Sequence, residues 1–222
     1  MTPTNPLPEA SAPHLPASSE AKREAVAFVK TVAGFLLLFF VLRTFVIDSY
    51  EVQGASMEPT LTNGESILVL KLPHVLSHSG WFDGIEALKP GDIVVFKSKY
   101  DADARYVKRV VAKGPKLDAS NTVIAGVKGE SSGEQVSVAI KTQQLFVNNR
   151  LVEEDYLPSE VHERFLATDR DETNLRAGEY YVLGDNRCPS KDSRSFGPVD
   201  DQEVIGKAIL RFWPLSKFGV LK

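Results

Sequence analysis

Cysteine is almost absent from this sequence: Cys188 is the only one. No disulfide can form within the chain, and no Cys/His spacing offers a zinc site. A cytosolic domain has such a composition, and so has an exported domain held by its core alone, so cysteine content leaves the compartment open. Histidine is scarce too. His14 lies in a Pro-rich tail, and His74, His78 and His162 sit in polar connections with no obvious orienting carboxylate, which leaves a Ser-His-Asp triad poorly supported. Neither sign of charge is in large excess, since 26 Lys and Arg against 29 Asp and Glu give a formal charge of −3. With no basic stripe and no nucleic-acid motif, no nucleic-acid partner is expected. No internal repeat is visible.

What is present divides the chain in three. Residues 1–24 read as a disordered, cytoplasmic tail. Pro, Ala, Ser and Thr dominate it, and the charged collar Glu20-Ala-Lys-Arg-Glu24 closes it. Ala25 to Ile47 (AVAFVKTVAGFLLLFFVLRTFVI) is the most hydrophobic stretch. It contains Lys30 and Arg43, and its uninterrupted apolar block, Thr31 to Leu42, has only 12 residues. A buried core helix is one reading. A transmembrane helix whose Lys30 and Arg43 snorkel to the two interfaces is the other. The residues are apolar around the whole helix, which favours the second. No small-x-small cleavage site follows closely, so an uncleaved signal anchor is expected rather than a cleaved signal. Lys22 and Arg23 precede the helix and favour a cytoplasmic N-terminus, with Arg43 as a weak opposing vote. Residues 48–222 would then form an extracytoplasmic domain of a single-pass protein in the cytoplasmic membrane.

From Asp48 onward the texture is that of a mostly antiparallel β domain. Short runs rich in β-branched and aromatic residues recur at 66–72, 92–98, 105–112, 134–140, 144–152, 179–185 and 204–213. Turn signals separate them, among them Asn63-Gly64, Lys89-Pro-Gly-Asp92, Gly126, Asn148-Asn149 and Gly178. Tyr156 to Arg176 is polar and irregular and reads as an extended connection.

Three segments can carry chemistry. In YEVQGASMEPTL (50–61) a strand runs into Gly54-Ala55-Ser56-Met57 and is broken by Pro59. A serine between small residues at a strand end can expose its hydroxyl, although most turn serines only cap or hydrogen-bond locally. A hydroxyl needs a base, and lysine is the available one. Lys108 lies in Tyr106-Val-Lys-Arg-Val110, where a period of two puts Tyr106, Lys108 and Val110 on one face. Burial there would lower its pKa. A lysine guarding a strand edge gives the same pattern. The third segment, Gly184 to Arg194 (GDNRCPSKDSR), is dense in groups that pair with one another: Asp192 with Arg194, and the hydroxyls of Ser190 and Ser193. A polar loop has the same composition.

Together these segments resemble the bacterial type I signal peptidase family. Ser-Met-x-Pro-Thr-Leu stands at 56–61, Gly-Asp-Ile-Val-Val-Phe at 91–96, Tyr-Val-Lys-Arg-Val at 106–110, and Gly-Asp-Asn-Arg-x-x-Ser-x-Asp-Ser-Arg at 184–194. Weaker echoes are Phe146-Val-Asn-Asn149, Ile205-Gly-Lys-Ala208 and Trp213-Pro214. One box could arise by chance, whereas four in order could not plausibly do so.

The resemblance implies a mainly β, antiparallel catalytic domain of signal peptidase type behind one N-terminal transmembrane helix. It implies a serine endopeptidase without metal or cofactor, acting through an acyl-enzyme on the signal peptides of exported preproteins at a lipid bilayer. Ser56 matches the nucleophile and Lys108 the neutral general base. Ser190 matches the serine that orients the lysine, and Asp192 and Arg194 match residues that hold the site together. Tyr50, Val52, Met57, Leu61, Tyr106 and Val107 match substrate-pocket positions. Some relatives carry a hydroxyl residue where Gly54 stands, so the Ser56 N–H is expected to carry more of the oxyanion role. Cys188 falls at a variable position of the last box and is expected to be filler. A self-cleaving repressor-type Ser-Lys protein would need a helix-turn-helix where the apolar segment lies. A silent membrane scaffold would have no reason to keep Ser56 and Lys108 together.

Overall fold

The computed structural model describes residues 17–71, 88–100, 104–115, 136–142, 144–158 and 170–221. His14, His74, His78, His162 and the turn expected at Gly126 lie outside them. Two compact units divide the chain, residues 1–42 and 43–222.

In the first unit, helix α1 spans Ala17–Val41, and the chain continues through a π turn at Leu42–Val46. The helix thus begins within the segment up to residue 24 that is expected as a tail. Ala17, Glu20, Ala21, Lys22, Arg23 and Glu24 are good helix formers and extend the apolar helix toward its N-terminus. Ala21–Val46 is long and apolar enough to cross a membrane, with mean hydropathy 2.4 and none of it buried. At 1.5 Å per residue those residues rise about 39 Å, more than the roughly 30 Å of a bilayer's hydrocarbon core. Phe28, Phe35, Leu37 and Phe39 are all exposed, which removes the reading as a buried core helix.

The second unit contains twelve described strands: β1 (Ile47–Glu51), β2 (Ser66–Leu70), β3 (Ile93–Lys97), β4 (Arg105–Lys113), β5 (Val136–Lys141), β6 (Gln144–Val147), β7 (Arg150–Leu151), β8 (Arg170–Leu175), β9 (Glu179–Leu183), β10 (Val199–Asp200), β11 (Val204–Trp213) and β12 (Gly219–Val220). One four-residue helix, α2 (Ser193–Phe196), follows β9. The larger sheet has the order β1-β2-β11-β3-β4-β9-β10, with β12 added on β11, and the smaller has the order β7-β6-β5-β8. All pairings are antiparallel.

Side-chain patterning explains which strands are central. β2 alternates, with Ile67 and Val69 turned into the core. Ile93 to Phe96 of β3 and Lys108 to Ala112 of β4 are buried on both faces, because the large sheet is covered on each side there. One face carries Val52, Met57, Leu61, Ile67, Val69, Ile93 and Val95. The other carries Leu88, Val94, Phe96, Val110, Tyr180 and Val182. A third cluster joins β4 and β9 to the small sheet through Val111, Tyr181, Leu183, Val138, Ile140 and Leu175. Asn148 and Asn149 take positive φ (50° and 59°) in the two-residue turn between β6 and β7. The connection expected from Tyr156 to Arg176 instead contains β8, which pairs with β5. Its sequence RDETNL buries Leu175 while Glu172 and Asn174 are exposed, so it carries little of the apolar alternation by which strands are read.

Candidate active site

The chain leaves β1 and turns back toward β2. Val52 N–H donates to Glu65 O, and Gly64 N–H donates to Val52 O, both at 2.8 Å. Gly54 sits at φ +86°, in the left-handed region that glycine enters without strain, and its N–H donates to Asn63 Oδ1 at 2.8 Å. A helix-like turn follows, in which Leu61 N–H donates to Met57 O at 2.8 Å. Met57 and Leu61 are fully buried in the core under this turn. Ser56 therefore rides, half-buried, on a turn held from below by two apolar plugs.

Lys108 comes from the middle of β4, where it pairs with Val94 of β3. It is only 3% exposed. Its Nζ lies 2.7 Å from Ser56 Oγ and 2.8 Å from Val107 O. Burial drives its pKa down to about 8, against the opposing charges of Asp192 and Asp185. An amine titrating there is partly neutral at physiological pH, and only the neutral form can accept a proton.

The 184–194 box closes the site. Gly184 is packed so tightly that a Cβ on it would fall 2.1 Å from Ser190 Oγ and 2.4 Å from Ser56 O. Asn186 N–H donates to Ser56 O at 3.1 Å, and Asn186 Nδ2 donates to Ala55 O at 3.0 Å. Asp192 caps α2 and accepts both Arg194 Nε at 2.8 Å and the Gly184 N–H at 3.0 Å. Its second bond to Arg194, at 2.7 Å from the guanidinium, makes the pair bidentate. Ser193 Oγ accepts the Val182 N–H at 2.9 Å, tying α2 to β9.

The hydrogen bond from Ser190 to Lys108 that the resemblance implies is not formed. Ser190 Oγ is buried without a hydrogen-bond partner among the described residues, while Lys108 is engaged by Ser56 and Val107. Of the residues matched to substrate pockets, Tyr50, Tyr106 and Val107 are partly exposed. Val52, Met57 and Leu61 are 3%, 0% and 0% exposed. Those three apolar side chains fill the core between the turn and the sheet, and Tyr50 and Val107 pack over them. They form a floor rather than a contact surface. Cys188 is exposed and unpaired.

Residues that the sequence reading did not single out complete the surroundings. Arg109 and Asp185 form a bidentate pair at 2.9 and 2.7 Å, with 1% and 0% of their side chains exposed. Arg109 also donates to Gly91 O at 2.6 Å, and its guanidinium lies 4.2 Å from the centre of the Tyr156 ring. Tyr156 OH donates to Glu154 Oε1 at 2.6 Å, and Glu154 forms a buried bidentate pair with Arg187. Burial pushes the Tyr156 phenol well above its usual range, with the Glu154 charge and hydrogen bond adding to the shift. Tyr156 therefore stays a donor. Arg109, Asp185, Asn186 and Arg187 stand inside boxes already quoted, which is a usable signal. Glu154 and Tyr156 carry none.

A hydroxyl and a buried amine stand within hydrogen-bonding reach of one another, the arrangement that a nucleophile and its base require. The comparisons place the chain in a family. The family model described as signal peptidase, peptidase S26, matches residues 25–124 and 124–213. The chain is 32% identical over 199 residues to signal peptidase IB of Staphylococcus aureus, covering 89% of this chain and 94% of that one. It is 31% identical over 202 residues to signal peptidase I P of Bacillus subtilis subsp. natto, covering 88% and 93%. A signal peptidase I crystal structure from Enterococcus faecalis aligns with 25% identity and a TM-score of 0.38, over 55% of this chain and 97% of that one. The chain belongs to the signal peptidase, peptidase S26, family.

Proposed function

We propose that this chain is a membrane-anchored serine endopeptidase that removes signal peptides from exported preproteins, with Ser56 as nucleophile and Lys108 as general base. The observation that carries this reading is the 2.7 Å approach of Lys108 Nζ to Ser56 Oγ in a setting that brings the lysine down to about 8. Neutral Lys108 takes the proton as Ser56 Oγ attacks the scissile carbonyl. The resulting ammonium protonates the leaving amine, and the acyl-enzyme is released by a water that Lys108 deprotonates in turn. Ser56 N–H meets no acceptor among the described residues and is available to the oxyanion. Asp192 and Arg194 brace the box, and Ser190 stands against Gly184 beside the Ser56 carbonyl.

Two strand edges suit an extended peptide. The described pairing of β9 with β4 starts at Arg109, and among the described strands Tyr106 to Lys108 have no strand neighbour on that side. β1 ends the larger sheet and, among the described strands, pairs only with β2. A substrate strand on these edges would present alternate side chains to Tyr50, Tyr106 and Val107. Residues 1–16 and the start of α1 would stay cytoplasmic, drawn by Lys22 and Arg23, and residues 48–222 would work on the far side of the membrane.

The test is cleavage of a purified preprotein by the full chain and by Ser56→Ala and Lys108→Ala. Both variants lose nearly all activity while keeping the parent's circular dichroism. Substantial cleavage by either folded variant defeats the dyad assignment.

A further inference from the structure

We infer that Asn186 is a positioning residue that aims the Ser56 N–H at the oxyanion. The inference rests on the proposal above, in which Ser56 is the nucleophile and its own N–H a donor to the transition state.

A peptide unit is planar, and in the trans form its C=O and N–H point in opposite directions. The only cis bonds among the described residues are Glu58–Pro59 and Trp213–Pro214, so the Ala55–Ser56 unit is trans. The side chain of Asn186 donates to the carbonyl of that unit, Ala55 O, at 3.0 Å. Fixing the carbonyl fixes the opposite end of the plane, which is the Ser56 N–H. The backbone N–H of Asn186 donates to Ser56 O at 3.1 Å and so holds the next plane as well. One residue thus clamps the two peptide planes on either side of the Ser56 Cα.

The clamp is itself well anchored. Its neighbours Asp185 and Arg187 are 0% and 1% exposed and locked in bidentate pairs with Arg109 and Glu154. Gly184, with no side chain, lets this segment come against the Ser56 carbonyl. The second hold on Ala55 O is a turn bond from Glu58 N–H at 3.2 Å. Because that bond survives loss of the amide, removing Asn186 should cost less than the 10²–10³-fold typical of deleting an oxyanion donor outright.

The experiment measures kcat, KM and the pH profile of preprotein cleavage by the full chain in detergent micelles. Asn186→Asp keeps the shape but replaces the donor with a carboxylate, and Asn186→Ala removes it. Each should lower kcat roughly 10-fold to 100-fold while KM moves less than about 3-fold, and the pH midpoint should stay at the parent value. A kcat within about 2-fold of the parent in both variants overturns the inference. So does a loss carried by KM, or a pH midpoint that climbs toward that of an ordinary lysine, since either assigns Asn186 to general packing around Lys108. Should the Asp variant fail to fold, the Ala variant decides. Ser56→Ala runs alongside. Cleavage by that variant defeats the nucleophile reading, whereas an inactive Ser56→Ala beside fully active Asn186 variants defeats the clamp alone.

Discussion

Lys108 Nζ stands 2.7 Å from Ser56 Oγ across 52 positions of sequence. The turn that carries the serine is held by Met57 and Leu61 from below and by Asn186 from the side. The strand that carries the lysine is buried on both faces from Lys108 to Ala112. The two groups that the proposed mechanism couples by proton transfer therefore sit on a loop and a sheet that are each fixed independently of the contact between them.

With Lys108 as the proposed base, whose neutral form works and whose pKa burial brings down to about 8, cleavage should rise with pH through a midpoint near 8. A rate flat between about pH 6 and 9 contradicts a titrating lysine base. Stability follows with a definite sign. Between about 8 and 10.5 the unfolded chain holds the proton that the folded chain has lost, so stability increases with pH across that window. Lys108→Met should remove this slope and raise stability at pH 7 by about 3 kcal/mol, measured by urea unfolding.

Gly54 predicts the outcome of restoring a hydroxyl. Its φ of +86° disfavours any Cβ, although no neighbour lies within 4 Å of where one would stand. Gly54→Ser should lower stability by about 1 kcal/mol and bring no gain in kcat, by thermal melting and preprotein cleavage. A clear rise in kcat would mean that the serine hydroxyl reaches the oxyanion despite the backbone.

Met57 and Leu61 separate floor from pocket. As fully buried core residues, each should lose about 2 to 5 kcal/mol of stability on substitution by alanine. A residue facing the substrate would shift KM with little change in the unfolding midpoint.

Glu65 governs acid stability around the C-terminal segment. Burial pushes its carboxyl up, but hydrogen bonds from Lys217, Thr62 and Arg211 outweigh that and hold it at about 2. The stability it adds is present above the ordinary carboxylate range and is lost as pH falls from about 4.5 toward 2. Glu65→Gln should flatten that part of the melting-temperature profile.

Much of this was legible in the sequence because it is local. The strand runs, the asparagine turn at 148–149 and the Ser56 and Lys108 boxes are short patterns with their own physical signatures. β8 is hard to read from RDETNL because, of Glu172 to Leu175, only Leu175 is buried. Pairing was harder. Arg109 with Asp185 spans 76 positions, Arg187 with Glu154 spans 33, and Asn186 with Ala55 spans 131. Nothing in composition or period specifies such partners. Burial is as hard to read: Met57 and Leu61 belong to the Ser56 box, yet their side chains are fully buried in the core.

Clearance differs sharply between the two glycines that bracket the nucleophile. At Gly54 the surroundings are empty, so the sequence can drift toward larger residues there at the cost of backbone comfort alone. At Gly184 even one methyl group would collide with Ser190 and with the carbonyl of Ser56. Variation around this site is therefore one-sided: tolerance lies on the side of the turn that faces open space, and the seam between turn and strand admits no growth at all.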